Sequence, residues 1–163
     1  MPAGMVMPEM PPDHPMFKAG PVWTIPTAQL GNRTDILSAN IPAGGKTSAR
    51  AIARMYAALL GEVDGVRLIT AQRLRDATAL SMSGPDQVFG NPSFWALGFS
   101  LGRLGSTAQD SPSVFGVGGY GGSFACGDSA TGIAFAVTKN RLTQDFSAAT
   151  ELSNLVSTAL TPR

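Results

Sequence analysis

The sequence predicts an α+β domain: a three-stranded antiparallel sheet, flanked by helices and preceded by an irregular arm. Three observations lead there. Helical periodicity fills the middle of the chain and returns at its end, period-two alternation is confined to the region between, and prolines crowd the beginning. Runs of helices followed by runs of strands argue for an antiparallel sheet and not for alternating βαβ units. At 163 residues the chain has the length of one ordinary globular domain with its own core.

Residues 1–46 carry eight of the twelve prolines and five of the seven methionines, so regular structure should be sparse there. The methionines at 1, 5, 7, 10 and 16 suit an adaptable apolar surface lying on another body, and equally a flexible leader. Residues 47–163 form the folded region. Thr47 or Ser48 can cap a helix in which Ile52, Met55, Tyr56 and Leu59 share one stripe before Gly61 ends it. After a turn at Asp64-Gly65 and the run Val66-Arg67-Leu68-Ile69, Thr70 caps a second helix with Leu74, Ala77 and Leu80 inward, closed by Ser83-Gly84-Pro85. Trp95, Leu97, Phe99 and Leu101 alternate with small or polar residues as a half-buried strand does. Ser123 to Cys126 and Ile133 to Thr138 read as two further strands, joined by a hairpin through Gly127–Gly132. The last helix, about Asp145 to Leu160, places Ala148, Leu152, Leu155, Val156 and Ala159 at helical spacing.

Composition excludes several classes of function. Twelve basic residues nearly cancel eleven acidic ones, leaving no net field to gather nucleic acid or an anionic membrane. A single cysteine, Cys126, rules out an intramolecular disulfide and a multi-cysteine zinc site, and a single histidine, His14, rules out any site built on two imidazoles; neither a metal nor a cofactor is expected. The start, Met1-Pro2-Ala3-Gly4-Met5, lacks a basic n-region and an apolar h-region, and no stretch is long enough to cross a bilayer. The expectation is a cytoplasmic protein, or a secreted one if the chain is cut from a longer precursor.

Among motifs, Gly44-Gly45-Lys46-Thr47 ends like a phosphate-binding loop, but Asn40 stands where that loop needs glycine, and a turn at the start of a helix is the better reading. Cys126 sits between apolar neighbours as a small core residue, and His14, in Pro11-Pro12-Asp13-His14-Pro15, reads as a surface residue of the arm. Asp110, Asp128 and Asp145 fall at turns or caps, not in an acid–base pair. Phe115–Ser123 holds five glycines in nine residues just before a strand. Two readings stand side by side: exposed N–H groups that hold a carbonyl or oxyanion, or a bulged strand lead-in without a ligand.

Phe115-Gly-Val-Gly-Gly-Tyr-Gly-Gly-Ser123, followed by Asp128-Ser-Ala-Thr-Gly-Ile-Ala-Phe-Ala-Val-Thr-Lys-Asn-Arg141, resembles the end of the serine β-lactamase-like hydrolases, especially class C-like esterases and penicillin-binding-protein relatives. Thr47–Arg54 and Gly65–Ile69 fit the last helical segment of that family, so the resemblance spans about residues 32 to 160. It implies a truncated β-lactamase-like fold, the C-terminal half of the family's domain. Those enzymes acylate a serine in an S-x-x-K motif. Here Lys18, Lys46 and Lys139 follow Pro15, Ala43 and Ala136 at that spacing, and Tyr56 and Tyr120 begin no Tyr-x-Asn, so the resemblance implies no catalytic residue in this chain. The family's Lys-Thr-Gly or His-x-Gly motif maps onto Val117-Gly118-Gly119, and the N–H of Tyr120 would be the second oxyanion donor.

The functional expectation is therefore a serine-hydrolase-like portion that is not hydrolytic alone, a split half or a remnant. Its alternatives are a protein repurposed to bind a small apolar ligand, or perform a non-hydrolytic step, in the vacated cleft at Val117, Gly118, Gly119 and Tyr120, and a structural interaction module. In the family two N-terminal strands extend the sheet beside the last strand, so Ile133–Thr138 is expected to lack a neighbour, an arrangement that favours a homodimer or a partner chain supplying the missing half.

Overall fold

A computed structural model describes residues 13–19, 27–39, 45–88, 90–119, 121–143 and 145–160. Within the proline-rich region three helical pieces of four or five residues appear, α1 (Pro15–Ala19), α2 (Ala28–Gly31) and α3 (Thr34–Ser38), so the described parts of the arm are not wholly irregular. Each is too short to be stable by propagation alone. Local contacts hold them: the Thr27 hydroxyl accepts from Leu30 N–H at 3.0 Å, and Arg33 pairs with Asp35.

The folded region begins with α4 (Ala49–Leu60), where Ser48 is the cap and accepts from the Ala51 N–H at 3.2 Å. Tyr56 and Ala58 are buried, Ile52 and Leu59 pack beside them, and Met55, expected on the same stripe, is exposed. The turn at Asp64-Gly65 has both residues at positive φ, closing a small bridge between Val63 and Val66. Thr70 caps α5 (Ala71–Thr78), which buries Leu74. That helix stops earlier than expected: Leu80 is exposed, and Met82–Pro85 is strand β1, not a helix terminator.

The sheet has six strands, not three. After β1 come β2 (Pro92–Trp95), β3 (Ser100–Leu101), β4 (Val114–Gly118), β5 (Phe124–Asp128) and β6 (Ala134–Val137), all antiparallel and in sequence order across the sheet. Besides β1, two features of the chain account for the extra strands. The alternation Trp95, Leu97, Phe99, Leu101 does not run as one strand; it folds over at Gly98 (φ 84°), with Ala96 N–H bonded to Phe99 C=O, and leaves Leu97 exposed in the turn. The glycine-rich segment, in turn, opens with a paired strand, because Val114 and Phe115 carry enough apolar surface to fix it.

Helices cover both faces of the sheet. Under α4 and α5, Tyr56, Leu74, Phe115 and Ala125 form one core, with the Phe99 and Phe115 rings edge to face at 5.1 Å. On the other face α6 (Ser147–Leu160) closes a second core of Val114, Phe124, Cys126 and Ala149. The inward residues of α6 are Ala149 and Ser153, whereas Leu152 and Leu155 are exposed, a rotation of the stripe away from the expected one. Among the described residues no helix is long and apolar enough to cross a membrane.

Candidate functional site

The backbone of β4 decides what the glycine-rich segment can offer. Gly119 N–H donates to Ser123 C=O at 2.8 Å, closing the β4–β5 connection, so Gly119 is not available to a ligand through that group. Because the groups of an antiparallel strand alternate in direction, Phe115, Val117 and Gly119 address β5 while Val114, Gly116 and Gly118 address the opposite side. Two contacts fit this alternation: Val114 C=O accepts from Gly102 N–H, and Gly116 C=O accepts from the Ser100 hydroxyl at 2.8 Å. β3 begins at Ser100, opposite Gly116, and so does not reach Gly118. The peptide groups of Gly118 therefore open beyond the start of β3, with no partner among the described residues.

Val117, Gly118 and Gly119 are brought together on this exposed stretch. The Val117 side chain lies on the α4 face, one position past buried Phe115, and is 47% exposed. It extends the apolar face to the surface where a cation or imidazole would be polar. Tyr120 lies outside the described residues. Gly118 has its own packing reason to lack a side chain, since a Cβ there would stand 3.1 Å from the Phe146 ring.

Behind the loop stands a brace that sequence reasoning did not single out. Gly122 (φ 78°) has no room for a methyl, which would lie 2.8 Å from Lys139 Nζ and 2.9 Å from Thr143 C=O, and one at Gly121 would meet Leu142 at 2.5 Å. Lys139 Nζ donates to the Thr143 hydroxyl at 2.8 Å and to Asp145 C=O at 2.6 Å, while its N–H donates to Ser123 Oγ at 3.1 Å. Lys139 therefore ties the 121–123 turn, through its backbone N–H, to the segment leading into α6, through its ammonium. Asp145 caps that helix through the Ser147 N–H, and this bond holds its carboxyl below the ordinary carboxylate range. The signal available in sequence was the Lys139-Asn140-Arg141 end of the last strand, which says nothing of distance to the glycines.

Among the described residues no activated nucleophile stands beside the Val117–Gly119 stretch. Cys126 is buried on the α6 face, where burial pushes its thiol up to about 11 and keeps it protonated at neutral pH. Tyr56 belongs to the core, its hydroxyl raised to about 12 by burial. Asp128 sits at its expected turn but is buried, and Arg103 reaches to 4.0 Å from it while also donating to Ser157. Burial pushes the Asp128 carboxyl up, yet hydrogen bonds from Ser113, Thr131 and Ala130 outweigh it and hold the group below its ordinary value. This cluster fastens α6 to the sheet. His14 lies in the arm, edge to face with Phe17. A groove of about 430 Å³ lined by Trp95, Ser100, Thr107 and Asp110 is separate from Val117–Gly119. Among the described residues no cluster of side chains has the make-up of a metal site.

A protein-family model, described as Beta-lactamase, matches residues 2–159. Over 119 residues the chain is 37% identical to the esterase/beta-lactamase LipL of Mycobacterium tuberculosis, covering 71% of this chain and 27% of that protein. Among solved structures, a family VIII carboxylesterase superposes with a TM-score of 0.65 at 28% identity, over 74% of this chain and 33% of its own. A penicillin-binding-protein homologue from Caulobacter crescentus gives 0.51 at 32% identity, over 59% of this chain and 26% of its own. EstA from Arthrobacter nitroguajacolicus, at 22% identity over 71% of this chain and 33% of its own, shares the fold with a TM-score of 0.55. The chain thus spans between about a quarter and a third of the length of these relatives.

Proposed function

The chain belongs to the beta-lactamase family, and from that premise we propose that it is the C-terminal portion of a serine β-lactamase or esterase-like hydrolase, supplying one wall of the reaction cleft and not the nucleophile. The observation that carries this reading is the exposed Val117-Gly118-Gly119 stretch on an open strand edge, in a sequence where no serine precedes a lysine at S-x-x-K spacing. Without the lysine nothing removes the hydroxyl proton, and a serine at its ordinary pKa is a weak nucleophile. Lys139 does not substitute, since its ammonium is held by Thr143 and Asp145.

The wall's contribution is backbone chemistry. Gly118 presents its peptide groups to a ligand lying along the edge, and the resemblance assigns the second oxyanion donor to Tyr120 N–H. Val117 can neither pair with a substrate carboxylate nor relay a proton, so the cleft it lines suits an uncharged, apolar acyl group. The same exposed valine supports the second reading, a cleft repurposed to bind a small apolar ligand.

Incubation of the purified chain with a penicillin or a fluorophosphonate, followed by intact mass measurement, tests the proposal. No mass increase is expected. A stoichiometric adduct on one serine would refute it.

A further inference from the structure

We infer that the cavity between α6 and the end of β5 is a binding site for one buried water molecule, which bridges the Arg103 guanidinium and the Asp128 carboxylate. The inference goes beyond the hydrolase reading and does not depend on it. The cavity measures about 20 Å³. A single water needs about 10–15 Å³, so one fits and an organic ligand does not. Its walls come from separate segments: Arg103 follows β3, Val114 opens β4, Asp128 closes β5, Phe135 lies on β6, and Ser153 and Ser157 belong to α6. All of these lie between residues 103 and 157, so the site forms whatever else covers the sheet.

The spacing of the two charged groups calls for an intermediary. Arg103 Nη2 stands 4.0 Å from Asp128 Oδ2, and both side chains are largely buried. A direct charge-assisted bond would be about 2.7–2.9 Å long, so these two atoms are not bonded to each other. Two bonds of about 2.8 Å to one water oxygen span the gap at an angle of roughly 90°. Neighbouring bonds keep the groups from closing it themselves. Arg103 Nη1 donates to the Ser157 hydroxyl, which holds the guanidinium against α6. Asp128 Oδ1 accepts from the Ala130 N–H at 3.0 Å, which holds the carboxylate to its own turn. A charged group taken out of water costs free energy unless its hydrogen-bonding positions are filled, and the bridge fills one on each side.

Charge selects water over an ion. Arg103 repels a cation and Asp128 an anion, whereas water accepts from the guanidinium and donates to the carboxylate from one position. Its second O–H is left for a hydroxyl, and Ser153, only 5% exposed, brings one to the same wall. Those three polar partners are the usual number for a buried water. Val114 and Phe135 supply the apolar remainder of the lining. The bridge thereby joins the segment after β3, the β5–β6 turn and α6 at one point.

The test is a high-resolution crystal structure of the full chain, paired with water magnetic relaxation dispersion in solution. A density peak without anomalous signal is expected within about 3.2 Å of both Arg103 Nη2 and Asp128 Oδ2. Ser153→Val replaces the hydroxyl and adds a methyl to the wall; it should lower the relaxation amplitude by one long-lived water while leaving the circular dichroism unchanged. Should that variant misfold, the peak in the unmodified chain decides. A direct contact between Nη2 and Oδ2 shorter than about 3.2 Å overturns the proposal. So does an anomalous peak from chloride, a cavity without density, or a folded Ser153→Val with the amplitude of the unmodified chain.

Discussion

Gly116→Ala tests how the wall is built. Gly116 lies mid-strand on β4, opposite Cys126, between the Phe115–Gly127 and Val117–Ala125 pairs that join β4 to β5. A methyl here would overlap the Ala125 carbonyl oxygen and stand 2.7 Å from Cys126 Cβ and 2.8 Å from its Cα. Carbon atoms pack at about 3.5–4.0 Å, so the strands must separate locally by roughly 1 Å. The obstacles are backbone atoms and a Cβ, none of which can swing aside as the end of a long side chain does. Overpacking of this kind costs about 1–3 kcal/mol. Weakening two of the flanking ladder bonds adds about 2 kcal/mol at roughly 1 kcal/mol each. The sum, about 3–5 kcal/mol, is a large share of the ~5–15 kcal/mol that keeps a domain folded. In urea unfolding followed by tryptophan fluorescence, a slope near 2 kcal/mol/M turns this into a midpoint lower by roughly 2 M. Gly45→Ala is the control: nothing lies within 4 Å of its Cβ position, and the change should fall within about 0.5 kcal/mol. A loss below about 1 kcal/mol in Gly116→Ala would refute the claim that the β4–β5 approach leaves no room for a side chain.

Two further expectations concern chemistry. Val117→His restores an imidazole at the position where the family's motif carries a polar group, yet ester turnover should remain at the level of the unmutated chain, because the histidine has no nucleophile to assist; turnover clearly above that level would point to another serine or to Cys126. Asp128 has a folded pKa below its ordinary value, so the stability it contributes is full above about pH 4 and is lost as pH falls through the folded value. Thermal unfolding from pH 6 to pH 2 should therefore show an acid decline that Asp128→Asn flattens, and an unchanged profile in the variant would remove Asp128 from the account.

The sequence by itself determined the local elements whose signals are short-range. Ser48 and Thr70 cap their helices because a hydroxyl three residues ahead of an N–H is enough, and Asp64-Gly65 turns because both residues tolerate positive φ. The missing S-x-x-K is likewise a fact of residue order. Tertiary structure alone decided the rest. Trp95 to Leu101 has the alternation of one strand, and only the pairing of Trp95 with Ser100 across Gly98 makes it two, since a period of two looks the same before and after a tight turn. The leucines of α6 keep helical spacing at either rotation, and whether Leu152 or Ser153 faces the sheet depends on how closely Ala149 must approach Val114 and Cys126. The glycines could be read as a ligand loop or a kinked strand, and the packing shows that their reasons differ: Gly116 and Gly118 clear space for Cys126 and Phe146, Gly122 for Lys139 and Thr143, and Gly119 closes a turn. Such reasons are distances between residues far apart in the chain, and residue order carries them only through the fold.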